Sequence, residues 1–152
     1  MKNGLKGQIV GLAVLLLVLG CGRKDTMEQS KAMLSGVVKG DVVQVRTLLD
    51  EGANIEAKNS SERTALMLAA LAGNKEMLDL LILKGANLKA TDGSGMTPLL
   101  WAAFGGNPRV VEQLIQKGAD VKERDKNGRS ALEWAREHPA AIEVLKRAGA
   151  KQ

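Results

Sequence analysis

The chain of 152 residues is poor in aromatics, which make up 2% of it: Phe104, Trp101 and Trp134, with no Tyr. It has 3 Pro against 17 Gly. A sandwich of strands wants Val, Thr and aromatic side chains on its pleated faces, so an all-β fold is disfavoured. Short helices punctuated by glycine turns fit better. There is 1 Cys and 1 His. An intramolecular disulfide framework is therefore excluded, and a zinc site of the usual His/Cys kind is strongly disfavoured. Little is left for catalysis by imidazole or thiolate. The net charge of +5 is also modest: setting aside Lys2 and Lys6 leaves 20 basic against 17 acidic residues, spread along the chain. Nucleic-acid binding wants clustered Lys and Arg with a docking motif, and neither is present.

The longest apolar run, residues 9–19, follows Lys2 and Lys6. It is about half the roughly 20 residues that a membrane-spanning helix needs, and it has the layout of a secretory signal. The run ends in Val18-Leu19-Gly20-Cys21. This ending resembles a bacterial lipoprotein signal, in which a small residue precedes a Cys that is lipidated on its thiol and becomes the first residue after cleavage. Leu19 is bulkier than the Ala or Ser usual at its position. The alternative reading is an uncleaved signal anchor with an unmodified Cys21. The resemblance implies a signal at 1–20, a lipidated Cys21 and attachment to a bilayer. Gly22 in place of Asp after the Cys implies the outer membrane of the bacterial envelope, facing the periplasm. Residues 22–30 are polar and without an apolar helical face, as expected of a short tether.

From there the sequence repeats every 33 residues. Gly52-Ala53, Gly85-Ala86 and Gly118-Ala119 keep that step. So do Thr64, Thr97 and Ser130, then Leu66, Leu99 and Leu132, then Ala69, Ala102 and Ala135, then Gly40, Gly73 and Gly106. Such a period signals a stack of identical supersecondary units. In the unit over 92–119, Asp92-Gly93-Ser94-Gly95 is a turn. Thr97 can cap a helix that has Pro98 at its first position, and Gly105-Gly106 ends it. A second helix spans about 109–116, with Val110, Val111, Leu114 and Ile115 on one face and Gly118 beyond its end.

These motifs resemble ankyrin repeats. The match rests on Thr-Pro-Leu-Leu-Trp-Ala-Ala (97–103), the Gly106-Asn107 turn and Val-Val-Glu-Gln-Leu-Ile-Gln-Lys-Gly-Ala-Asp (110–120), and on their copies at 64–70, 80–87, 45–54, 130–136 and 144–150. The resemblance implies an all-α solenoid of about four helix-turn-helix repeats with turn fingers, at about 31–58, 59–91, 92–124 and 125–150. Three departures stand out. Glu62 stands where Gly95 and Gly128 stand in the next copies, so its turn is expected to be loose or strained. The last copy is two residues shorter. His138-Pro139 replaces its glycine turn, as suits an end cap.

The resemblance also implies a concave face of fingers and first helices that binds another protein. Carried over by position, its residues include Arg63, Leu71, Ser94, Met96, Phe104, Lys126, Asn127 and Arg129. Leu71, Phe104 and Met96 would form an exposed apolar anchor between Arg63 and Arg129; the alternative is that they merely shield helix contacts. Trp101 and Trp134 are expected to pack between neighbouring helices. No metal-ligand cluster, nucleophile–base motif or phosphate loop is present, so the expectation is a non-catalytic protein without cofactors, acting as a monomer. Its expected role is to hold a partner protein at the envelope, as an inhibitor or immunity factor. The competing role is a structural lipoprotein that contacts lipid or peptidoglycan.

Overall fold

A computed structural model describes residues 27–150. The signal, Cys21 and most of the tether lie outside the described residues. Among the described residues there are eight helices and no strand, arranged as four consecutive pairs. They are α1 (Met27–Lys39) with α2 (Val42–Asp50), α3 (Ala65–Ala72) with α4 (Lys75–Leu83), α5 (Pro98–Gly105) with α6 (Pro108–Gln116), and α7 (Ala131–Trp134) with α8 (Pro139–Arg147). None is long and apolar enough to cross a membrane.

Five of the helices start where the sequence supplies a side-chain acceptor for their unpaired N–H groups, whereas Thr64 at the start of α3 makes no such bond. Thr97 accepts from Leu100 N–H, and Pro98 fills the next position, where no N–H is needed. Ser130 and Glu133 form a reciprocal capping box at α7. The second helices begin at Asp41, Asn74 and Asn107, one repeat apart, and each side chain accepts from its own first turn. The fourth has His138 there with no side-chain cap; Pro139 follows and removes one of the donors that would need one.

Helix α1 begins at Met27, so residues 27–30, expected to belong to the tether, are its first turn. The apolar pattern of α1 starts only at Met33, Leu34 and Val37. In the extra turn Met27 and Glu28 are exposed and Gln29 and Ser30 half-buried, with Glu28 placed favourably near the helix N-terminus.

The two middle repeats supply most of the core. Helix α3 buries Ala65, Leu66, Met67, Ala69 and Ala70, and α5 buries Pro98 through Ala103 without interruption. A helix apolar all round is one enclosed by neighbours. Small side chains let the two approach closely: a Cβ on Gly105 would lie 2.5 Å from the Leu71 carbonyl oxygen. Behind them, α4 buries Met77, Leu78, Leu80 and Leu81, and α6 buries Val110, Val111 and Leu114. The outermost second helices bury far less: Val45 in α2, Ala141 and Leu145 in α8. That is the physical signature of end caps, each with one face in water.

Polar links join successive repeats through residues 33 or 34 apart. Lys58 Nζ donates to Thr91 O at 3.0 Å, and Lys126 Nζ to Gly93 O at 2.7 Å. Asn107 Nδ2 donates to Gly73 O at 3.3 Å. Gln113 bonds Asp79, and Lys84 pairs with Asp50.

Candidate partner-binding face

Three finger turns are built on one residue each: Asn59, Asp92 and Asp125, one repeat apart. The Oδ1 of each accepts two backbone N–H groups, from Ser61 and Arg63, from Ser94 and Met96, and from Asn127 and Arg129, all at 2.8–3.0 Å. These side-chain bonds reinforce a backbone turn, in which the N–H groups of Asn59, Asp92 and Asp125 also donate to the carbonyls of Arg63, Met96 and Arg129. The turns also need a left-handed residue, supplied by Gly95 and Gly128; at the first finger Glu62 takes φ 62° instead. It is the only non-glycine at positive φ among the described residues. This is the strained form of the expectation for Glu62.

The residue that follows in each finger decides what lies against the first helices. Arg63 places its guanidinium carbon 4.0 Å from the ring centroid of Trp101, and Arg129 lies 3.9 Å from that of Trp134. Phe104 stands between the two indoles. Its ring meets Trp101 edge-to-face at 5.7 Å and 85°, and Trp134 at 5.5 Å and 89°. The result is a continuous ladder, Arg63–Trp101–Phe104–Trp134–Arg129. Edge-to-face pairs contribute roughly 0.5–1.5 kcal/mol beyond their area, and a cation over an indole about 0.5–2 kcal/mol. The ladder is a rigid surface, and 45% of Phe104 remains open to solvent at its centre.

Two expected anchor residues need correction. Met96 is 2% exposed and belongs to the core, not the finger surface. Its backbone N–H is held by Asp92 and its carbonyl accepts from Asp92 N–H, which leaves it at the finger's base, next to the cap Thr97. Leu71 is half-buried and packs against the core, because α3 and α5 approach closely at Gly105. The finger residues Ser94, Lys126 and Asn127 are exposed. Lys126 has its amine engaged with the neighbouring finger at Gly93, and its backbone N–H donates to Ser94 O at 3.0 Å.

The structure thus brings together Arg63, Phe104 and Arg129, and adds Trp101, Trp134 and Asp92. Trp101 packs into the core as expected, 8% exposed, while Trp134 is only half-buried. Asp92 accepts the Trp101 indole N–H at Oδ2, 3.0 Å. Asp125 Oδ2 instead receives Arg129 Nε and Nη2, both at 2.9 Å. Burial pushes the Asp125 carboxyl up, but the bonds from Arg129 and Asn127 outweigh it and hold it below the usual carboxylate range. The sequence signal for the ladder is the shared 33-residue step of both Trp, with Phe104 three residues after Trp101 on the same helix.

Beside the ladder, α7 has only one turn, where α3 and α5 have two. A cavity of about 490 Å³ opens there, lined by Phe104, Arg129, Trp134, His138, Ile142 and Lys146 among others. Among the described residues no three of His, Cys, Asp and Glu come together.

A family model described as ankyrin repeats in three copies matches residues 8–92 and again 69–152. No curated protein matches the chain. Ankyrin-repeat proteins are generally non-catalytic scaffolds that mediate protein–protein interaction. With four helix pairs in phase and the family match spanning them, this chain belongs to the ankyrin-repeat family.

Proposed function

We propose that this protein is a lipid-anchored binding module of a bacterial cell envelope. It holds one partner protein against its fingers and first helices, and acts as an inhibitor or immunity factor for that partner. The observation that carries the binding reading is the aromatic ladder: a half-exposed Phe104 between two indoles, with a guanidinium over each. Aromatic and Arg side chains that are already immobile lose little entropy on docking, and they dominate the energetics of interfaces. The anchor rests on the sequence alone, on Val18-Leu19-Gly20-Cys21 after a charged and then apolar N-terminus. Two acyl chains suffice for stable attachment, and attachment to the outer membrane would confine module and partner to one surface, which raises their effective concentration.

Solubilised envelopes carrying the full-length chain provide the test. One stoichiometric partner is expected to co-purify with the wild-type protein and to be lost from Phe104→Ser, with helical content unchanged. Retention on peptidoglycan sacculi, with no such partner, contradicts the binding role. Cys21→Ala is expected to leave an unlipidated precursor, read by mass spectrometry of the N-terminus. An unmodified Cys21 in the wild type contradicts the anchor.

A further inference from the structure

The two arginines that end the ladder stand in different electrostatic states. Arg129 is neutralised by Asp125. Arg63 has Asn59 at the equivalent position. The Asn59 amide oxygen performs the same backbone task as the Asp125 Oδ1, accepting from Ser61 and Arg63 N–H. It has no second oxygen, however, and among the described residues no carboxylate lies within ion-pair reach of Arg63. The acids of the adjoining turns are taken: Glu62 pairs with Lys58 at 3.5 Å, and Asp92 holds two backbone N–H groups and the Trp101 indole.

Arg63 is nevertheless fixed in place. Its guanidinium lies over the Trp101 ring, and its Nε is buried without a hydrogen-bond partner. A half-desolvated guanidinium keeps its charge, and its planar fork matches a carboxylate bidentately. Contact with the indole has already removed most of its rotamer freedom, so pairing costs little further ordering. Phe104, whose ring centroid lies 5.7 Å from that of Trp101, offers exposed apolar surface beside it.

We infer that Arg63 is a carboxylate subsite: the partner presents an Asp or Glu side chain to Arg63 and an adjoining apolar side chain to Phe104. This deepens the proposed function and rests on the partner-binding reading. The equivalent pair Asp125–Arg129 shows what an occupied subsite looks like in this finger, with the carboxylate supplied from within the chain.

The test uses two displayed peptide libraries, alike except that one fixes a Leu-Asp pair and the other Leu-Asn, panned on the full-length chain in detergent. Affinities are read from the emission of Trp101 and Trp134, the chain's two tryptophans. Binders are expected from the Leu-Asp library, and their affinity is expected to fall about tenfold in Arg63→Gln, the loss of one charge-assisted pair. Asn59→Asp is expected to weaken them as much, because the introduced carboxylate pairs with Arg63 internally. That variant keeps the turn's acceptor and is expected to melt no lower than wild type, so unfolding does not explain its loss. Binders drawn equally from both libraries, no binders, or undiminished affinity in both variants overturns the inference. Phe104→Ser separates the two levels. Peptides that depend on Phe104 but not Arg63 uphold the binding face and refute the subsite; peptides indifferent to both refute the face as well.

Discussion

The third and fourth repeats carry the same tryptophan on the same template, yet the two indoles are treated differently. In the third, the Met96 side chain has no donor to compete for Asp92 Oδ2, so that oxygen accepts the Trp101 indole N–H inside the core. In the fourth, Arg129 stands at the position of Met96 and occupies Asp125, and the buried Trp134 Nε1 has no partner. One side-chain exchange in the finger therefore redirects a hydrogen bond nine residues further along. The difference follows from place in the stack. The third repeat is enclosed on both sides, whereas the fourth is the cap, shortened and partly open to water, where a half-exposed ion pair is tolerated.

The largest expected effect comes from removing the indoles themselves. Trp101→Ala is expected to cost about 3–5 kcal/mol, the range for emptying a buried Trp site. Trp134→Ala is expected to cost less than half of that, since its site is half open. Urea titration of the full-length chain, followed by circular dichroism, compares them; equal costs would erase the distinction between enclosed repeat and cap.

Next come the two finger carboxylates. Asp92→Asn faces the Trp101 N–H with another donor, and is expected to cost about 1–3 kcal/mol. Asp125→Asn also sets a donor against Arg129, and the Asp125 side chain is buried, but the Arg129 side chain is 43% exposed and can turn to water, so the expected cost is lower, about 1 kcal/mol. The same titration reads both.

One repeat can also be converted into the other. Arg129→Met frees Asp125 to accept from Trp134, as Asp92 does from Trp101. The expected outcome is slow hydrogen exchange at the Trp134 indole N–H, matching Trp101, with stability changed by under about 1 kcal/mol.

Acid separates the repeats by sign. Hydrogen bonds from Ser130 hold Glu133 below its ordinary value, and Asp125 is likewise depressed. Depressed carboxyls contribute stability that is present above their unfolded-state pKa and lost as pH falls through the folded one. The fourth repeat is therefore expected to unfold first below the ordinary carboxylate range. Glu123, in the third repeat, is raised chiefly by burial, and its Oε2 has no partner. A raised carboxyl contributes stability below its unfolded-state pKa and loses it as pH rises through the folded one. Glu123→Gln is thus expected to raise the melting temperature at neutral pH and leave it unchanged in acid.

The smallest effect concerns the second repeat. Glu62→Gly relieves the left-handed strain and makes its finger like the next two. The expected gain is under about 1 kcal/mol, reduced by loss of the exposed Lys58 contact. A differential melting scan detects it.

Much of this is legible in the sequence, because a repeat writes its constraints several times. The helix pairs, the Thr97 cap, the shortened fourth copy and the strain at Glu62 all follow from comparing positions one period apart. Sequence reasoning misplaces Met96 because it treats the fingers as uniformly exposed. The position is the finger's base, where Arg63 and Arg129 lie along the indoles and an apolar residue turns inward. Leu71 is misplaced because helix spacing depends on Gly105, whose effect is felt only when α3 and α5 are side by side. Asp92's bond to Trp101 has no sequence signal of its own, since it joins a finger to the helix above it.

Docking of the partner on the ladder can be checked in living cells by replacing Phe104 of the full-length chain with a photo-crosslinking amino acid. Leu83, exposed at the end of α4, is the comparison site. One discrete adduct at 104 and none at 83 is the expected result; an adduct at 83 with none at 104 would place the partner on the opposite helices and contradict the ladder as its seat.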